Sequence, residues 1–148
     1  MSMYFDVGDV TLWNPSNGAG CLFLRQIEVF EAEIGLPSGI GQGRHRGDPD
    51  TREIDPVVFV PFVNGLVNWH CSSEHFVMRS LSEGFVATTV ALARRAGIDV
   101  RIPESEVAPS PSGVRRDVQV PGNSWTVHAA LGAALDARAR EIDRFMAR

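Results

Sequence analysis

The sequence predicts an α+β domain of about four helices, with a small antiparallel sheet, led by an N-terminal hairpin, at one edge. Three observations predict it. Two short apolar stretches flank Gly8-Asp9 near the start. Apolar residues recur at helical intervals in several long segments. Asp55-Pro56 opens a run, VVFVPFVNGLVNW, that is apolar almost all round and reads as a buried central helix.

The elements follow in order. MYFDV (3–7) and VTLW (10–13) read as strands joined by a tight turn, because glycine supplies the backbone angles such turns need. Asn14 to Gly18 breaks the chain and offers capping side chains. From about Ala19 to Ile34, Phe23, Ile27, Phe30 and Ile34 share a helical stripe, and Gly35 with Leu36-Pro37 stops the helix. Residues 37–52 hold glycine and proline punctuation with few apolar anchors and predict a mobile loop. Asp55 caps and Pro56 starts the second helix, with a kink expected at Pro61. Ser72 or Ser73 is expected to cap a third helix running to about Arg95, with Val77, Leu81, Phe85, Thr88 and Leu92 along one side. Gly84 within it leaves room for another backbone. DVRIP (99–103) and VRRDVQV (114–120) read as strands flanking a Pro/Ser-rich loop at 103–113. Asn123 or Ser124 opens a last helix to about Met146, with Val127, Leu131, Leu135, Ile142 and Phe145 apolar. No repeat and no internal boundary divides the 148 residues, so the chain reads as a single domain.

Composition excludes some functions. Charged residues make up 22% and apolar residues 44%, the balance of a globular protein, and no apolar run reaches the roughly 18 residues of a membrane helix. The start, MSMYFDVGDV, lacks the basic and apolar regions of a secretory signal. Cys21 and Cys71 read as free thiols in a reducing cytoplasm. All fourteen basic residues are arginine. Residues 26–55 carry seven acids against Arg44, Arg46 and Arg52, an acidic stretch suited to a solvated helix surface or to a basic protein partner. No basic stripe is present for nucleic acid.

The densest chemistry lies in WHCSSEH (69–75), where His70, Cys71, Glu74 and His75 fall together. Helical metal ligands need spacings of three or four residues. His70 and His75 are five apart, about 140° around a helix, so His70, Glu74 and His75 are candidate ligands without positive support from spacing. Cys71 beside His70 is adjacent in sequence, which does not make a nucleophile and base meet. His45 and His128 have nothing to bring them to this cluster. Glu28 and Glu31 could form a carboxylate pair, but no Glu-x-x-His partner accompanies them. Gly39, Gly41 and Gly43 lack the Lys-Ser/Thr ending of a phosphate loop. Trp13, Trp69 and Trp125 lie near element boundaries, where an exposed tryptophan would be an interface anchor.

YFDVGDVTLWNPSNGAGCLFLRQIEVFEAEIGLPSGI (4–40), IDPVVFVPFVNGLVNWH (54–70) and LSEGFVAT (81–88) resemble a family of small actinobacterial proteins classed as a domain of unknown function. The resemblance covers roughly residues 3–95. It implies a Streptomyces-like source and a cytoplasmic protein, and it carries no activity, cofactor or catalytic residue. Three functional readings follow. The first is a non-enzymatic interaction protein, immunity or antitoxin-like, meeting a basic partner through Trp13, Glu28, Glu31 and Glu33. The second is a homo-oligomeric structural or small-ligand-binding module. The third is a small metal-dependent enzyme using His70, Glu74 and His75.

Overall fold

The computed structural model describes residues 2–42, 50–73, 75–102 and 124–147, with the side chains at 42 and 124–129 outside that description. The elements are β1 (Tyr4–Val7), β2 (Val10–Trp13), α1 (Asn17–Ile34), β3 (Ile40–Gln42), β4 (Thr51–Ile54), α2 (Pro56–Ser72), α3 (Phe76–Arg95) and α4 (Ser124–Phe145). Four helices and one four-stranded sheet bear out the α+β class.

Gly8, at φ 56°, turns β1 into β2 as the sequence predicts. The sheet order is β2-β1-β4-β3, with β1 parallel to β4 and the other pairs antiparallel. Phe5 pairs with Trp13 and Asp6 with Thr11, so the register slips at Leu12. That slip lets both Leu12 and Trp13 reach the core, where strict alternation would bury only one.

The helix ends are set by side chains. The Ser16 hydroxyl accepts from Ala19 N–H, Asp55 accepts from Val57 N–H at 2.9 Å, and Gly35 closes α1 in the left-handed conformation. Helix α2 is the spine: Phe59, Phe62, Val63, Leu66 and Val67 are fully buried, while Pro61 faces outward and the helix continues through it. Rings knit the sheet to the helices. Phe5 stacks on Trp13 at 5.2 Å and meets Phe23 edge-on, and Phe30 stacks on Phe85 at 4.7 Å.

Several expectations change. Residues 40–42 and 51–54 are strands, so the sheet is completed from within the stretch read as a loop; of that loop, 43–49 lie outside the described residues. The hairpin extends its sheet through β4, on β1, and not through 99–103, which the sequence reads as a strand. There 99–102 is irregular. The 114–120 strand and the 103–113 loop lie outside the described residues. Ser73 closes α2, donating its N–H to Trp69 O, and His75 caps α3. Val77 and Leu81, on the same side of α3 as buried Phe85 and Leu92, are exposed, and so is Phe145. Among the described helices α3 alone is long and apolar enough to cross a membrane, and 56% of its apolar window is buried inside the fold.

Candidate functional site

Two places draw attention: the histidine-rich junction between α2 and α3, and a groove between α1 and α4. At the junction His70 ends α2 with 2% of its surface exposed. The Ser82 hydroxyl donates its one proton to the Arg79 carbonyl at 3.1 Å, so its oxygen accepts from His70 Nδ1–H at 3.0 Å. This bond joins α2 to α3. Burial pushes the imidazole below its ordinary range; the Glu83 carboxylate opposes that shift and the Arg79 guanidinium adds to it.

His75 stands outside that pair. Its Nδ1 accepts Met78 N–H at 3.3 Å and satisfies a donor that the first turn of α3 would otherwise leave open. Cys71 is buried, and burial pushes its thiol up to about 11. The structure thus assigns both histidines to joining and capping helices and makes Cys71 a weak nucleophile at neutral pH. Glu74, His45 and the His128 side chain lie outside the described residues. Among the described residues no group of three or more His, Cys, Asp or Glu is disposed to hold a metal ion.

The other sequence candidates separate. Glu31 accepts the Ser38 N–H at 2.6 Å, and Ser38 in turn accepts Ile40 N–H, so this carboxylate guides the chain from α1 into β3. Glu28 and Glu33 are exposed. Gly39 and Gly41 line a hollow at the start of α2 together with Glu53 and Asp55, so an anion there would meet carboxylates. Trp13 is half-buried and packs edge-on against Phe23; Trp69 does the same against Phe30.

Trp13 also borders the groove, a hollow of about 520 Å³ whose lining includes Leu22, Phe23, Thr88, Ile142 and Phe145. Leu22 is 61% exposed and Phe145 84%. Two helical stripes that carry exposed apolar residues run into it. On α1, Leu22, Gln26 and Val29 lie at intervals of four and three. On α3, Val77, Leu81, Gly84 and Thr88 lie at intervals of four, three and four. The Arg138 guanidinium and the Glu141 carboxylate, both lining the groove, pair with each other at 2.6 Å.

Phe145 is held in place. Arg95, whose side chain is 9% exposed, donates to the Asp143 carboxylate and to the carbonyls of Asp143, Met146 and Leu12. Asn14 N–H donates to Ala147 O, and Met146 is buried. Residues on both sides of Phe145 are therefore fastened while its ring stands in water. The sequence reading missed Leu22, Phe145 and Arg95. Its one usable signal was the pair Leu22 and Val29, apolar residues seven apart off the core stripe of α1.

Fold and groove define a small α+β domain whose described histidines join and cap helices and which holds an open, largely apolar groove between helices. The chain belongs to the family of unknown function DUF6086, whose model matches residues 1–148, the whole chain rather than the 3–95 of the resemblance. No curated protein and no solved structure matches it.

Proposed function

We propose that this protein acts by binding another protein chain, without chemistry of its own, over the face formed by α1, α3 and α4. The observation that carries the reading is Phe145, an aromatic ring held in solvent by the bonds of Arg95 and Asn14 to its neighbours. Helix ends ordinarily fray. Ordering a side chain in advance removes part of the entropy cost of association, and buried aromatic anchors dominate binding energy. Leu22 lines the same groove, and exposed Val29, Val77 and Leu81 lie further along the α1 and α3 stripes that enter it.

A second reading concerns charge. Glu28 and Glu33 are exposed on α1, with no ion partner among the described residues, which suits a basic protein and supports the immunity or antitoxin-like version. The test uses the whole chain as bait in lysate of its source organism, in wild-type form, as Leu22→Asp and as Glu28→Arg/Glu33→Arg. Any protein retained is then purified and titrated against each form. The reading expects a defined complex that Leu22→Asp abolishes; loss with the charge reversal assigns the acidic side to the contact. A complex indifferent to both changes sinks the assignment of this face.

A further inference from the structure

We infer that the groove between α1 and α4 is filled by a second copy of this chain, each copy setting its Phe145 ring into the groove of the other. The inference rests on reading this face as a docking surface. A two-fold contact places one patch against itself, so it needs a projection and a matching recess side by side on the same surface. Phe145 and the groove meet that requirement, because the exposed ring stands on the rim of the hollow it would fill in its partner.

Charge selects the same occupant. Among the described residues, the charged side chains lining the groove are Arg138 and Glu141, and they neutralise each other. A strongly basic or acidic segment finds no net charge to meet there, whereas two identical neutral faces approach without like-charge repulsion. The outward acid Glu28 sits six positions from Leu22, well around the helix from the groove stripe, and stays outside such a contact.

The exposed apolar area is also of the right order. Leu22, Val29, Val77, Leu81 and Phe145 are each about half or more exposed. Large side chains offer about 150–250 Å² apiece when aromatic, so these five leave several hundred square ångströms of apolar surface in water. That is the upper end for a typical monomer, and much of the roughly 800 Å² per partner of a standard interface.

The test is sedimentation equilibrium of the full chain from roughly 1 to 100 μM, the range that brackets ordinary dimer affinities. Wild type is expected to dimerise, with little change on raising salt, because the contact carries no net charge. Phe145→Ala is expected to weaken the dimer at least about thirty-fold, the effect of losing an interface anchor. Leu22→Asp is expected to be monomeric, while Arg144→Ala, an exposed change off the groove, dimerises as wild type does. Far-UV circular dichroism confirms that each variant is folded. A wild type that remains monomeric overturns the inference, and so does a dimer indifferent to Phe145→Ala and Leu22→Asp. A monomer that still binds a different protein through Leu22 removes the second copy and leaves the protein-binding reading intact.

Discussion

Truncating Arg95 to alanine tests the fastening of the C-terminal turn. The change removes four donated hydrogen bonds, one to the Asp143 carboxylate and three to the carbonyls of Leu12, Asp143 and Met146. Hydrogen bonds from a charged donor are worth about 1.5–3 kcal/mol each, but their plain sum overstates the loss. Asp143 is half exposed, and the carbonyls regain water when the end of α4 lifts away. The expected cost is therefore that of breaking one buried charge network, about 3–5 kcal/mol. For a domain with about 5–15 kcal/mol of total stability this is a large fraction. With a urea slope near 2 kcal/mol per molar it lowers the midpoint by on the order of 2 M. Asp143→Ala keeps the three carbonyl bonds and loses only a solvent-screened partner, so it should cost no more than about 1 kcal/mol. Equilibrium urea unfolding followed by circular dichroism measures both. If Arg95→Ala costs less than about 1 kcal/mol, or no more than Asp143→Ala, the carbonyl bonds do not fasten the turn and the account of Phe145 as a held anchor fails.

Other expectations concern the junction and the helix stripe. Because burial holds His70 below its unfolded pKa, the unfolded chain takes up its proton first on acidification. The His70 contribution is complete above the unfolded value and declines as pH falls below about 6.5, by at most about 1.4 kcal/mol per pH unit. Urea midpoints from pH 8 to 5 should therefore fall less steeply in His70→Gln than in wild type, and equal slopes would contradict this. The native protein should react with a thiol reagent once per chain at neutral pH, at exposed Cys21, with Cys71 reacting only on unfolding. Mass mapping of the label decides it. Gly84→Ala should stabilise the isolated chain by about 0.5–1 kcal/mol, since a methyl group there meets nothing within 4 Å and alanine is the better helix former. A loss of stability in thermal unfolding would point to an unseen contact.

Local signals carried much of the fold. Gly8 marked the hairpin, Gly35 the end of α1 and Asp55-Pro56 the start of α2, because turn and cap chemistry depends on a few adjacent residues. The strands β3 and β4 escaped because each is three or four residues long in a glycine-rich, charged stretch, and β4 acquires its identity from parallel pairing with β1, some fifty positions earlier. Burial along α3 was half legible. Phe85 and Leu92 are core as their spacing implies, but Val77 and Leu81 on the same side are exposed, since periodicity reveals an apolar face and not whether a neighbour covers it. At the site, spacing gave WHCSSEH no positive support as a metal motif and went no further. Its actual use, His70 to Ser82 and His75 to Met78 N–H, depends on how α2 turns into α3. Arg95 looked like one more arginine at a helix end, and its four acceptors come from both extremes of the chain.

That last feature has a bearing on biosynthesis. The Leu12 carbonyl that Arg95 grips leaves the ribosome early, whereas Asp143 and Met146 are made more than a hundred residues later. At about 5–20 residues per second, that separation lasts on the order of 7 to 30 s. Helix α3 is complete about fifty residues before that segment, so for on the order of 2 to 10 s of the interval the hairpin and α3 exist without it, and Trp13 and Phe23 lack their complete surroundings. The emerging chain therefore presents this apolar side to water until α4 arrives to pack against it.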